Sequence, residues 1–398
     1  MEFKKAPALS LIFLTVFVDL LGFGILIPIL PTFAKKELFV DETAIGIAIA
    51  IYSLTQFFFN PVFGNLSDRH GRKKIIVICL LLNAMGYVLF AYTHSYFMLL
   101  FSRVIAGLGG SSIGVAQAYI ADVTTPENRS KGMGLIGAAF GLGFVFGPLI
   151  GGLLSNYGYY ITGIASALFS LLAFLLTIIF LPEPEKKLSE QPIRSRKLID
   201  LSSFNFIFKK SELSILIVLF FILTFSVANI YGTFALLGFK VYNFTDLQNG
   251  YLYMILGLSS AVFQGFILGR ITKFFSNSQL ISIGAFCMMI GLGLIPYGGN
   301  FFGLTIICII LSIGTGSLQP TLLSLISAVT SEAEQGLVLG INQSLSALAR
   351  VLGPLWGGFA FEFLGYPFPF LTGSFFSLMI LIFSLFYLPK TIKPLRTK

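Results

Sequence analysis

The sequence predicts an all-α integral membrane protein: twelve transmembrane helices in two pseudo-symmetric six-helix halves. Composition, a succession of apolar runs and an internal repeat carry that expectation. The chain of 398 residues is 56% hydrophobic and only 11% charged, with a mean hydropathy of +0.90. Soluble domains carry about 25% charged residues, so most of this surface faces something other than water. Stretches such as residues 75–82 and 168–181 contain no charge at all. A helix needs about 20 such residues to cross the hydrocarbon core. The alternating ten-residue segments of a β-barrel are not seen.

Taken in order, the expected helices are 8–33, 42–66, 74–93, 96–122, 130–155, 159–181, 213–238, 246–270, 279–298, 301–329, 333–361 and 366–388. The first carries Asp19 in its middle and no small-residue cleavage site. It reads as a retained helix and not a removable signal peptide. Residues 1–181 form the N-terminal half. Pro182, Pro184 and Pro192, with several Lys, Arg and Glu, mark 182–212 as a polar linker, with a short surface helix expected over 198–208. Residues 213–388 form the C-terminal half, and 389–398 a tail. A single shift lays Gly147-Pro148-Leu149-Ile150-Gly151-Gly152 on Gly353-Pro354-Leu355-Trp356-Gly357-Gly358, Thr124 on Thr330 and Gly134 on Gly340. Six-helix halves repeated in parallel are a transporter architecture, with the binding site between them near the midplane.

The formal charge of +9 invites a nucleic-acid reading, but its distribution argues for orientation in a membrane. Of the 26 Lys and Arg, only Lys35, Lys36 and Lys240 fall in outer loops, and Arg103 and Arg350 fall within helices. All others lie on segments that share one side, which places both termini in the cytoplasm. Anionic lipid head groups are the expected contacts, and nucleic acid is not. Cys79, Cys287 and Cys308 fall in spans and read as small hydrophobes. His70 and His94 stand alone, so no metal is expected. No phosphate-binding glycine loop is present, and no cofactor is expected.

The stretch Gly64-Asn65-Leu66-Ser67-Asp68-Arg69-His70-Gly71-Arg72-Lys73-Lys74 reads as a tight turn between helices 2 and 3. Glycine at its ends permits close packing and a positive φ. Asp68, Arg72 and Asp122, at the end of helix 4, form an expected inner lock. The bland alternative is that these charges only anchor topology. Asp19 lies about 17 Å along helix 1 at 1.5 Å per residue. A carboxylate at that depth costs several kcal/mol and reads as a proton-loading or substrate-contacting group. The alternative is a structural acid paired permanently with Arg103. Arg103 itself either pairs with Asp19, orients an acidic or carbonyl-bearing substrate, or snorkels to the outer interface. Helix 5 carries glycines at three- and four-residue spacing: Gly137, Gly141, Gly143, Gly147, Gly151 and Gly152. Such residues let helices approach closely in lipid, and Pro148 removes a backbone hydrogen bond. Gln117 joins the proton or substrate candidates. Gln56, Asn60, Asn229, Tyr231, Gln264, Gln319, Asn342 and Gln343 are cavity candidates, each alone more often an interhelical hydrogen bond. Arg350 stands out among the polar residues because it is charged and near the middle of helix 11. Some of the 44 Phe and 15 Tyr are candidates for an aromatic cavity.

Through these motifs the chain resembles the major facilitator superfamily over essentially its full length. Residues 64–74 match that family's loop between helices 2 and 3. Gly143-Phe144-Val145-Phe146-Gly147-Pro148-Leu149-Ile150-Gly151-Gly152 resembles the antiporter motif of the twelve-helix drug:proton antiporters. Residues 19–31, reading Asp19-Leu20-Leu21-Gly22-Phe23-Gly24 onward to Pro28 and Pro31, and Arg103-Val104-Ile105-Ala106-Gly107 resemble helices 1 and 4 of tetracycline-efflux-like exporters. The resemblance implies the major facilitator fold, a monomer, a gating role for Gly64, Asp68, Gly71, Arg72 and Asp122, and a part for Arg103 in proton transfer. Tetracycline exporters of this type carry further acids in helices 3 and 9. Here helix 3 offers only Asn83, which argues against a divalent-metal–tetracycline chelate as cargo.

The expected function is proton-coupled export of small hydrophobic or amphipathic compounds by alternating access, in a bacterial inner membrane. The alternative cargo assignment is a symporter or uniporter for a sugar, metabolite or lipid-like solute. A transporter-like receptor would have lost the lock charges, which are present. No nucleophile–base pair marks an enzyme.

Overall fold

The structure is a computed structural model that describes residues 5–124, 126–184, 211–330 and 335–388. The tail and most of the linker, including the surface helix expected over 198–208, lie outside the described residues. Within the described residues the helices follow in order: α1 (Lys5–Glu37), α2 (Glu42–His70), α3 (Arg72–Ala91), α4 (Tyr96–Gly109 and Ser112–Val123), α5 (Pro126–Ser155), α6 (Tyr159–Phe180), α7 (Ser211–Lys240), α8 (Asp246–Val262, then a π turn Phe263–Leu268 and Gly269–Ile271), α9 (Asn277–Leu294, ending in the 3₁₀ turn Ile295–Tyr297), α10 (Phe301–Ala328), α11 (Gln335–Phe359, ending in the π turn Ala360–Leu364) and α12 (Phe368–Phe386). Eleven helices among the described residues are long and apolar enough to cross a membrane. The chain is an all-α integral membrane protein.

The chain divides into two compact units: residues 1–195 with 243–254, and residues 196–242 with 255–398. In the first, α1 packs on α5 and α6, α3 on α4 and α6, and α2 on α4. In the second, α7 packs on α11 and α12, and α9 on α10 and α12. One packing plan is used twice. The repeated residues mark it: Thr124 Oγ1 donates to the Ile120 carbonyl at 2.7 Å, and Thr330 Oγ1 to the Ile326 carbonyl at 2.6 Å. Each closes the last turn of its helix.

Small residues set the closest crossings. A Cβ at Gly147 would sit 2.6 Å from Gly24 Cα, and one at Gly143 would sit 2.8 Å from Leu20 Cβ. Gly151 faces the Ile25 backbone, and Gly152 faces Leu247 at the start of α8. Pro148 belongs to this contact, since a Cβ at Gly250 would meet its carbonyl at 2.5 Å. α5 runs unbroken through Pro148. In the second unit, the repeat-equivalent Gly353 and Gly357 press on Ala228 and Asn229 of α7. A Cβ at Gly137 or Gly141 would meet no atom within 4 Å, so these two glycines take no part in the crossing.

Two local expectations are corrected. The turn expected over 64–74 is a single residue: α2 continues through Gly64 to His70, and Gly71 alone reverses the chain at φ +104°. Gly64 is helical with nothing packed against it, so its expected close-packing role falls away. Helix 4 is not continuous over 96–122, because Gly110 and Ser111 interrupt it. There a Cβ on Gly109 would meet Asn83 and the Cys79 carbonyl, while Gly110 lies against Tyr52 and Gln56.

Replacing Gly147 by Ala should destabilise the protein by about 1–3 kcal/mol, because backbone and not a flexible side chain must yield. Gly137→Ala should be neutral or slightly stabilising, by up to about 1 kcal/mol from helix propensity. Thermal unfolding of the two purified variants in detergent checks both.

Candidate functional site

Asp19 sits at the middle of α1 and is 5% exposed. Its surroundings follow from the crossings just described, since α3, α4 and α6 each bring one neutral donor to it. The Asn83 amide Nδ2 lies 3.0 Å from both carboxylate oxygens. Ser170 Oγ donates to Oδ1 at 2.6 Å, and Ser112 Oγ to Oδ2 at 3.3 Å. Ser112 is the first residue after the break in α4, so the interruption is what aims it at the carboxylate. Among the described residues no cation lies within ion-pair distance of Asp19. Charge-assisted hydrogen bonds hold it in place of a salt bridge.

The permanent Asp19–Arg103 pair, one of the expectations above, is therefore absent. Arg103 does not snorkel either, being 3% exposed. Its guanidinium lies over the Phe90 ring at 5.3 Å from the centroid, and Nε donates to Ser102 Oγ at 3.4 Å. Its Nη2 is buried with no hydrogen-bond partner, as are the Tyr87 hydroxyl, Ser111 Oγ and Asn83 Oδ1. Arg103 acts electrostatically on Tyr87, and Tyr87 is also within the field of Asp19 and Tyr52. Both charges thus act on Tyr87, whose hydroxyl is hydrogen-bonded to neither.

Next to it runs a short row of rings. Phe23 stacks on Tyr52 at 5.1 Å and meets Phe144 edge-on at 6.2 Å, and Phe144 stacks on Phe140. Gln56 donates to the Tyr52 hydroxyl at 3.3 Å, which places this cavity candidate beside the rings. Asn60 has a buried Oδ1 without a hydrogen bond. Gln117 is partly buried, and Gln319, Gln343 and Gln264 are exposed. In the second unit, Asn229 is spent on packing: it is fully buried and donates to the Pro369 carbonyl. Tyr231 lies in the field of Arg350, so these two candidates are neighbours. Asn342 is buried with its Oδ1 unpartnered, as is the Trp356 indole nitrogen.

The lock charges come together. Arg72 Nη2 lies 2.5 Å from Asp68 Oδ1, Arg72 Nε lies 2.8 Å from Asp122 Oδ2, and Nη1 donates to Ser67 Oγ at 2.7 Å. Sequence reasoning missed a further member. Glu183 lies beside Gly71 and accepts from the Lys73 backbone N–H at 3.3 Å, at the N-terminus of α3. An anion there complements the helix dipole. Lys73 Nζ donates to the Ile178 carbonyl at 2.8 Å, and Tyr119 donates to the Pro182 carbonyl at 2.8 Å. The end of α6 and the start of the linker are thus fastened to this cluster. At the other end of the unit, Lys35 pairs with Glu42 at 3.1 Å, and Lys36 with Asp246 at 3.6 Å, where the Tyr159 hydroxyl also donates at 2.9 Å. In the sequence these two lysines stand out only as exceptions to the charge bias.

A repeated helical membrane fold with a mid-helix carboxylate and a charged clasp at one end defines the class of secondary transporters. The chain belongs to the Major Facilitator Superfamily, whose model matches residues 12–349 and 262–398. It is 31% identical to Multidrug resistance protein 1 of Bacillus subtilis (strain 168) over 93% of this chain and 94% of that one. It is also 31% identical to the class C Tetracycline resistance protein of Escherichia coli, over 88% and 89% of the two chains. Among solved structures, the nucleoside transporter NupG superposes with a TM-score of 0.75 at 14% identity, covering 95% of this chain and 98% of that one. That likeness is one of fold.

A double-mutant cycle with Arg72→Ala and Asp122→Ala should return a coupling of about 0.5 kcal/mol in unfolding free energy, since the carboxylate partner is solvent-exposed. Denaturation of the four proteins in mild detergent measures it.

Proposed function

We propose that this protein is a proton-coupled antiporter that exports small hydrophobic or amphipathic compounds by alternating access. The observation that carries the reading is Asp19: a carboxylate in the middle of a membrane helix, held by neutral donors and without a counter-cation among the described residues. Such a group gains or loses a proton without breaking a salt bridge. A proton on it cancels the only charge on that donor set. The drug-resistance names of the curated relatives support export as the direction and amphipathic compounds as the cargo.

The row Phe23, Tyr52, Phe140 and Phe144 offers flat apolar contact for such a solute near the polar interior. Ring faces favour aromatic and cationic groups through stacking and cation–π attraction. Arg103, buried and with an unused donor, suits a carbonyl or anionic group on the same solute, or a proton passing to Asp19. In the first unit we assign Gln117 to the same role, and in the second, taken by itself, Arg350 with Tyr231 in its field and Asn342 are the substrate-contacting candidates. The charge bias places both termini in the cytoplasm, so Asp68, Arg72 and Asp122, with Gly71 as pivot, form a cytoplasmic gate. The glycine and proline contacts of α5 keep the barrier on the other side tight. The transporter works as a monomer in a bacterial inner membrane.

In proteoliposomes with an imposed pH gradient, Asp19→Asn should lower gradient-driven flux of an amphipathic cation at least tenfold and leave its binding intact. Flux equal to the parent protein would remove Asp19 from the coupling step.

A further inference from the structure

We infer that Asn83 is the positioning residue of the Asp19 carboxylate: it spans both oxygens with a neutral donor, fixes their orientation and sets the proton concentration at which the site loads. The inference rests on the proposed antiport reading and adds to it a residue on α3 that the family motifs do not include. Three observations carry it. The amide nitrogen is 3.0 Å from Oδ1 and 3.0 Å from Oδ2, whereas each serine reaches one oxygen only. The side chain is 2% exposed and is wedged against α4, where a Cβ on Gly109 would fall 2.5 Å from Asn83 Oδ1. Its Oδ1 is buried with no hydrogen-bond partner.

The last point gives Asn83 a use in both protonation states. With Asp19 ionised, the NH2 group donates to the carboxylate. When the carboxylate takes a proton from water, it becomes a donor through its new O–H, and an acceptor is required. Turning the amide over presents Oδ1 to that O–H and swings NH2 to the side where the Cys79 carbonyl lies, since that oxygen and Oδ1 border the same Gly109. A serine on α4 or α6 also serves either state, but each keeps its grip on a single oxygen. An amide adds no charge, so the site holds one negative charge and takes one proton. A carboxylate at position 83 would place two acids about 3 Å apart, which cannot both ionise readily.

The other titratable groups facing Asp19 are few among the described residues. Cys79 and Tyr87, one turn either side of Asn83 on α3, both lie in its field. Arg103 on α4 and Tyr52 on α2 act on Tyr87. The α5 residues against α1 include Gly143, Gly147, Gly151 and Phe144, which do not titrate, and the α6 side chain bonded to Asp19 is Ser170.

The test measures flux of an amphipathic fluorescent cation in proteoliposomes against pH for the parent, Asn83→Leu and Asp19→Asn. Asn83→Leu should move the half-maximal pH upward by about one unit, a tenfold change in proton concentration, for loss of the one amide donor shared by both oxygens of a charged group. Its KM for the cation should stay within twofold. A parent-like midpoint with Asp19→Asn inactive would overturn the role of Asn83 and leave the antiport reading standing. Parent-like flux in Asp19→Asn would overturn both. Should Asn83→Leu fail to fold, Asn83→Ala, which removes the wedge against Gly109, is measured in its place. Infrared difference spectra give a second readout: the carboxylate bands absent from Asp19→Asn should shift in the Asn83 variant, and unshifted bands would overturn the inference.

Discussion

One carboxylate in the middle of a hydrocarbon-spanning helix constrains much of the first unit. Ionised Asp19 is unfavourable there by several kcal/mol unless polar groups reach it. They reach it from three directions at once, which requires α3, α4 and α6 to converge on α1. Convergence at that range in turn requires small residues at the crossings. Gly22 brings α1 onto the Ser166 backbone of α6, and Gly86 and Gly109 bring α3 and α4 together. The glycines usually read as packing devices, and the acid as a functional device. Here the packing delivers the hydrogen bonds that make the acid tolerable.

The second unit shows what the same plan does without an acid. Asn229 of α7 occupies the crossing with α11, pressed by Gly353 and Gly357 as α1 is pressed by Gly147 and Gly151. Its amide nitrogen donates to the Pro369 carbonyl of α12, while its Oδ1 is buried without a hydrogen-bond partner. At that crossing α7 carries Ala228 and Asn229 where α1 carries Gly24 and Ile25, so the two units share the contact and differ in the side chains placed there. The duplicated architecture holds, while the chemistry has become one-sided. The charges near the end of α8 are used differently: Arg270 bonds its own helix at the Phe266 carbonyl.

Much of this is legible in the sequence, and the illegible part has a physical cause. Charged residues inside apolar runs announce themselves, so Asp19, Arg103, Arg350 and the Asp68–Arg72–Asp122 set are all identifiable one by one. Their partners are not. Ser112, Ser170 and Asn83 are small polar residues of a kind that helices in lipid carry routinely, and they lie 93, 151 and 64 positions from Asp19. No local pattern encodes such a contact. An Asp19–Arg103 pair is the natural expectation from charge alone, and the structure replaces it with neutral donors and an aromatic face. Gly64 misleads because a glycine before a basic run looks like a turn, whereas the helix simply continues. The break in α4 is visible in principle: Gly109-Gly110-Ser111-Ser112 is a poor helix interior, and the apolar runs on either side obscure it. Glu183 reads as linker charge in the sequence, although it sits at the N-terminus of α3.

That break also connects the two polar centres of the first unit. The segment Ser112–Val123 is a helical rod of about 18 Å at 1.5 Å per residue. One end places Ser112 on Asp19, and the other places Asp122 on Arg72. The Ser112 contact is the longest of the three to the carboxylate, at 3.3 Å. Gly110 and Ser111 separate this rod from the first part of α4. The ladder is irregular there: the Ser111 N–H turns to the Leu108 carbonyl at 3.2 Å, and the Val115 N–H reaches the Ser111 carbonyl only at 3.5 Å. On the antiport reading, one short helical segment thus touches the proton-loading carboxylate at one end and the Arg72 ion pairs at the other.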